Sequence, residues 1–364
     1  MQNKTKNINK VGGVQRKRPQ IDFVLVVIII MLLSFGIVMV LSASAPSALA
    51  ETGDSYTYVT KQVIFAVLGL ATMWFFSKVD YRIYKKLYWP IYWLSVGALL
   101  LVLIPGLGVN VSGATRWIDL GFSRFQPSEL TKVGMIIFYA GYLTDHKDEL
   151  RSFTKGFIKP LLFLVPPVGI AFFIQNHMSV GIVMASITFV MMIMAGCRLL
   201  HFILTGVVVG GLGATALGVF LATAGESASS ANFRIDRILN YMDPWQDPTG
   251  TGWQTIQSLY AIGSGGSFGE SKQKSLYVSE PQNDFIFSIL AEELGFIGCA
   301  VVIILFALFI WRGIIIAMKS PDMFGSLLAT GITTLVMIQV VINIGVVTNT
   351  IPNTGMSLPF FSAG

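Results

Sequence analysis

The segment Glu280-Pro281-Gln282-Asn283-Asp284-Phe285-Ile286-Phe287 closes a long polar stretch and runs into an apolar one, 285–311. Asp284 therefore stands where water meets hydrocarbon. A carboxylate there reaches a polar substrate while the helix behind it faces lipid. A proline and two amides precede it, a composition that turns the chain and aims the acid. Two roles are open to it. Aspartate is among the best helix N-caps, and a carboxylate kept ionised near a helix start is also a general base.

Other charged groups could work beside it. Glu129 and Lys132 lie three apart on one helical face, within pairing distance. They form either a structural ion pair or, with Lys132 joined by Arg116, a receptor for an anionic head group. Trp117 sets an amphipathic aromatic next to Arg116 at the membrane interface. Arg234, Arg237, Lys272 and Lys274 could meet the same head group, although solvated loop charge explains them as well. Glu292 and Glu293 fall two turns into the apolar run, so at least one needs a partner or a wet cavity. His146, His177 and His201 are scattered, with no metal-ligand spacing. No serine or cysteine stands with a histidine as an activated nucleophile. Gly263-Ser264-Gly265-Gly266-Ser267-Phe268-Gly269 lacks the strand and lysine of a phosphate loop.

The elements that must position these groups are membrane helices. The 364 residues are 54% hydrophobic and 12% charged, with a mean hydropathy of +0.69, which excludes a soluble globular protein. Apolar runs of spanning length occur at about 22–45, 60–77, 88–105, 128–144, 158–174, 179–196, 202–223, 285–311 and 323–347, and a tenth starts at Met356. The expected fold is an all-α polytopic bundle of ten-span type, its last span incomplete at Gly364, with a large structured outer loop. Arg16-Lys17-Arg18 followed by an apolar run and Ala48-Leu49-Ala50 imitates a signal peptide, but the run is nearly twice too long. Alternate loops hold 17 and 8 of the 25 Lys and Arg, which places the N-terminus in the cytoplasm. The net charge of +6 then reflects topology and anionic-lipid contact, not nucleic acid. Cys197 and Cys299 are not expected to form a disulfide.

The chain divides into a basic tail (1–21), spans one to seven (22–223), an extracellular loop (224–284) and spans eight to ten (285–364). The loop is too long for a simple link. It carries the turn-rich Asp243-Pro244-Trp245-Gln246-Asp247-Pro248 and then an expected amphipathic helix, about Trp253–Ile262, with Trp253, Ile256, Leu259 and Tyr260 on one side. A second outer segment, 106–128, also reads as structured. Pro127 and Glu129 suit the first turn of the helix that follows it. Pro166-Pro167 marks a broken helix.

Together these residues resemble the SEDS family (shape, elongation, division and sporulation), bacterial polytopic proteins that include FtsW, RodA and SpoVE. The resemblance covers nearly the whole chain. It rests on Val38-Met39-Val40-Leu41-Ser42-Ala43-Ser44, Gly113-Ala114-Thr115-Arg116-Trp117-Ile118 and Gln126-Pro127-Ser128-Glu129-Leu130-Thr131-Lys132. Later marks are Asp243-Pro244-Trp245, Gln257-Ser258-Leu259, the Asp284 segment with Glu292-Glu293-Leu294-Gly295, and Leu358-Pro359-Phe360. The Ser-Ala-Ser end of the first span looks more like the FtsW and SpoVE branch.

The resemblance implies a peptidoglycan glycosyltransferase of the bacterial cytoplasmic membrane that polymerises lipid II on the outer face, in division or sporulation. It implies Asp284 as the catalytic base. Arg116, Trp117, Glu129, Lys132, Gln257, Ser258, Arg234 and Lys274 would bind substrate, with Glu292 and Glu293 in support. The leaving pyrophosphate would be neutralised by Arg116 and Lys132 or by a divalent metal ion, Mg or Mn; no other cofactor is implied. A class B penicillin-binding protein would be the transpeptidase partner, among divisome or spore-cortex proteins. The chain departs from the family pattern after Phe268-Gly269, at His177 where aspartate is usual, and at Ser362-Ala363-Gly364. A lipid II flippase and a non-catalytic scaffold are the alternatives, and a transporter should place polar groups along a midplane path.

Overall fold

The computed structural model describes residues 21–111, 114–119, 121, 124–207, 211, 215, 241–250, 252–269 and 282–362. Among them the chain forms α1 (Phe23–Thr52), α2 (Thr57–Lys78), α3 (Arg82–Leu100), strands β1 (Gly108–Val111), β2 (Ala114–Asp119) and β3 (Arg124–Phe125), α4 (Pro127–Asp145), α5 (Lys159–Gly169) and α6 (Met178–Ala195). After a helical stretch at 199–207 come α7 (Trp253–Ser264), α8 (Ile286–Met318) and α9 (Met323–Val347). Seven helical segments in the described residues are long and apolar enough to span a membrane. The expected run at 202–223 lies largely outside the described residues, as do the basic tail, Arg234, Arg237, Lys272 and Lys274.

The helices build two cores. One joins α3, α4, α5 and α6 around Tyr92, Phe138, Tyr139 and Met191; the other joins α1, α8 and the end of α9 around Leu32, Phe287, Phe306 and Val347. Helix α9 borders both. Helix α4 is not among those seven segments, and it is central. Thirteen of its nineteen residues are buried by protein, so few have to satisfy lipid. Small residues let its neighbours close in: a Cβ on Gly134 would strike Ser95, one on Gly141 would strike Tyr88, and one on Gly331 would strike Ile136. Around Pro166 and Pro167, α5 is flanked by π-helical turns at Phe153–Ile158 and Ile170–Ile174, and the Phe163 carbonyl that Pro167 leaves without an amide accepts from Tyr92 Oη at 2.8 Å.

The bundle has two distinct ends. At one, Asp22 receives the Arg312 guanidinium at 2.8 Å, Tyr81 donates to Asp322 at 2.6 Å, and Lys85 pairs with Asp145 at 3.2 Å. The other end carries the strands, the N-termini of α4, α6 and α8, helix α7 and the C-terminus of α9. The strands form one antiparallel sheet in the order β1-β2-β3. The sequence reading found this segment ordered without recognising strands, because its runs are too short for a clear period of two.

Two local expectations need correction. Helix α7 is present, but it buries Thr255, Ile256, Ser258 and Ala261, while Tyr260 is 58% exposed and meets Trp245 edge to face. Ser258 and Ala261 let the helix approach the bundle closely, while Tyr260 faces outward at the interface. The helix placed from Met356 does not start there, since residues 351–362 are irregular. Pro352 and Pro359 lack amide donors, and side chains of the bundle bind the backbone instead. Ser179 Oγ donates to the Thr354 carbonyl at 2.6 Å, and the Leu358 amide donates to Ser362 Oγ at 2.7 Å. Met356 enters one core while Leu358 and Phe361 enter the other, so this segment seals the seam between them.

Candidate functional site

Residues 282–285 form a turn that delivers the chain into α8. The N-cap position of α8 is Phe285, so Asp284 stands one residue ahead of the cap. Its side chain is half-buried. Gly355, at φ +64°, turns its α-carbon towards the acid, and a Cβ there would stand 3.4 Å from Asp284 Oδ2. The Asp284 carbonyl accepts from Asn343 Nδ2 at 2.8 Å, and the Asn283 carbonyl accepts from Ser362 Oγ at 2.8 Å. The acid is thus held by backbone anchors that belong to α9 and to the segment after it.

Arg116 comes to Asp284 from the sheet. In the β1–β2 register Val109 faces Trp117 and Asn110 faces Thr115, which leaves Arg116 as the extra residue of a bulge. A bulge re-aims the side chain it carries. Burial lowers the guanidinium pKa from its ordinary value, and the nearby Asp284 carboxylate opposes that shift. Arginine stays protonated through such a change. Its buried Nε has no hydrogen-bond partner among the described residues. A cation and an acid within electrostatic reach, one carrying an unused donor, can accept an anionic group and a proton side by side.

The other site residues take different places. Lys132 is almost wholly buried, with Nζ 2.7 Å from Glu129 Oε2, whereas the Glu129 side chain is half exposed. The pair sits in the first turns of α4, at the same end as Asp284. Trp117 is half-buried opposite Val109. Ser258 is fully buried and donates to the Val347 carbonyl at 2.8 Å, fastening α7 to α9; Gln257 beside it is half-buried. Glu293 receives the Ser42 hydroxyl from α1, and Glu292 is buried. Arg234 and Lys274 lie outside the described residues.

The glycine-rich segment has a structural task. Gly295 breaks the helical path of α8 at φ 63° and ψ −164°. The amides of Phe296 and Ile297 then donate to the Gly266 and Ser267 carbonyls at 2.9 and 3.2 Å. Cβ atoms on Gly265 or Gly269 would strike the Ala291 or Glu293 carbonyl. Backbone packs directly on backbone here, and only glycine permits it.

Sequence reasoning missed Asn343, Gly355, Ser362 and the partner of His177. His177 Nδ1 lies 3.1 Å from Gln126 Nε2, tying the start of α6 to the N-cap of α4. The polar residues within the last span and the glycine beyond it were the available signal. Among the described residues no three metal-ligating side chains converge, so a divalent ion here would be held by Asp284 together with the phosphates of a substrate.

A family model described as cell cycle protein, covering FtsW, RodA and SpoVE, matches residues 23–364. The chain belongs to the FtsW/RodA/SpoVE family. It is a multi-pass membrane helix bundle, as members of that family are. It is 43% identical over 355 residues to stage V sporulation protein E of Bacillus subtilis (strain 168), spanning 96% of this chain and 93% of that one. It is 40% identical to a probable peptidoglycan glycosyltransferase FtsW of Trichlorobacter lovleyi, spanning 94% and 88%. Among solved structures, a chain of a peptidoglycan synthase complex superposes with a TM-score of 0.76 at 28% identity, over 94% of this chain and 92% of that one. A mutant form of the rod shape determining protein RodA of Thermus thermophilus matches with a TM-score of 0.65 at 25% identity, over 94% and 91%.

Proposed function

We propose that this protein is a peptidoglycan glycosyltransferase that polymerises lipid II, with Asp284 as general base. The observation that carries the reading is the half-buried Asp284 carboxylate within electrostatic reach of the Arg116 guanidinium, at the end of the bundle that also holds Glu129 and Lys132. Asp284 takes the proton of the sugar 4-hydroxyl of one lipid II. The freed oxygen bonds to the anomeric carbon of the growing chain, and the bond from that carbon to the pyrophosphate breaks with its electron pair. Undecaprenyl pyrophosphate leaves with the added negative charge, which Arg116 offsets at the protein surface. An α-linked donor gives a β-1,4 product by inversion, so no covalent sugar–enzyme intermediate is formed.

The basic end of the bundle faces the cytoplasm and the Asp284 end faces outward, in the bacterial cytoplasmic membrane; the 17-to-8 division of Lys and Arg supports this orientation. The likeness to a chain of a peptidoglycan synthase complex supports a class B penicillin-binding protein as partner. Division or spore-cortex proteins would then set where it works.

The test is polymerisation of lipid II by the purified protein with its transpeptidase partner. Wild type makes glycan strands, and Asp284→Ala loses about 100-fold or more of that rate while remaining folded. Full activity in Asp284→Ala removes the base assignment. Translocation of lipid II in liposomes without polymerisation supports a flippase, and partner binding with neither supports a scaffold.

A further inference from the structure

Asn343 lies in α9, the helix shared by the two cores, and is fully buried. Its one amide nitrogen donates to the Asp284 carbonyl at 2.8 Å and to the Met356 carbonyl at 2.7 Å. Both acceptors are carbonyls, so the amide cannot be flipped without setting its oxygen against them. The orientation of the group is therefore dictated by its neighbours. Asn343 Oδ1 has no hydrogen-bond partner among the described residues. A buried polar group left half-satisfied is costly, and a leucine at this place would avoid that cost. What the asparagine uniquely supplies is a bridge. On one side is the turn bearing Asp284, and on the other is the segment whose Gly355 abuts the Asp284 carboxylate.

We infer that Asn343 is the positioning residue for Asp284, holding its turn against the 354–356 backbone so that the carboxylate meets the sugar hydroxyl at a fixed place. The inference rests on Asp284 being the base. Ser179 on the Thr354 carbonyl and Ser362 on the Asn283 carbonyl close the same frame from α6 and from the segment's far end. Those two bonds hold the neighbouring residues, whereas Asn343 alone binds the carbonyl of the acid's own residue among these bonds. Without it the turn and the segment separate, and the base loses its alignment more than the substrate loses its contacts. A displacement of about 1 Å at a reacting group costs up to roughly 100-fold in rate.

The test compares wild type, Asp284→Ala, Asn343→Leu and Asn343→Ala, each full chain with its transpeptidase partner, for kcat and KM on lipid II and for thermal unfolding. Both Asn343 variants are expected to lose roughly 10- to 100-fold in kcat, with KM within about twofold of wild type. Leucine keeps the branched shape and alanine leaves space, so equal losses from opposite changes in size assign the effect to the lost donors. Three results overturn the inference: unchanged kcat in Asn343→Leu while Asp284→Ala is inactive, a loss confined to KM, or failure of both Asn343 variants to fold. Full activity in Asp284→Ala instead overturns the underlying reading of the base.

Discussion

Arg116, the extra residue of a β-bulge, lies within electrostatic reach of Asp284, which stands just ahead of α8. The two come from opposite halves of the chain, so their meeting is a product of the packed bundle.

Arg116→Ala should lower kcat/KM by roughly 10- to 100-fold, measured as lipid II polymerisation, because a partly desolvated cation aimed at developing charge is removed. Arg116→Lys should recover only part, since a point charge replaces a planar fork. Full activity in both variants would sink this role.

Glu129→Gln should destabilise the protein by about 1–3 kcal/mol, since it leaves the Lys132 charge buried without its acidic partner. The half-exposed Glu129 keeps the figure below that of a fully buried pair. Glu129→Gln combined with Lys132→Met should be more stable than Glu129→Gln alone. Thermal unfolding in detergent checks the order, and the reverse order rejects the ion-pair reading.

Gly295→Ala should cost about 3 kcal/mol or more. Its φ and ψ belong to glycine, and the added Cβ would strike the Gly269 amide nitrogen. Loss of amide protection at Phe296 and Ile297 in hydrogen exchange would mark the separated loop. An alanine variant of wild-type stability would refute the backbone packing.

At the other end of the bundle, the Arg312 side chain donates to Asp22 and lowers its pKa below the ordinary carboxylate value. A depressed acid stabilises the fold above its unfolded value and loses that contribution as pH falls through the folded one. Unfolding temperature should therefore drop below about pH 4, and Asp22→Asn should remove about 1 kcal/mol at neutral pH and flatten that slope. An unchanged slope would mean that other carboxylates control acid stability.

Composition was enough to read the architecture. Hydrocarbon tolerates only long apolar helices here, so composition and run length identified the membrane spans, and the edge of one run located Asp284. The α7 helix was legible as well, although its buried side was not. A period of 3.6 says that two faces differ, but at a lipid interface aromatics gain by facing outward while Ser258 fits against α9. The tertiary structure alone decided that Arg116 occupies a bulge beside Asp284. It also decided that Lys132 is spent on Glu129, and that Asn343 and Gly355 frame the acid. Register, a shared carbonyl and the approach of one backbone to another depend on residues far apart in the chain. A local pattern carries the cost of burying each group, and only the assembled bundle supplies the partner that meets it.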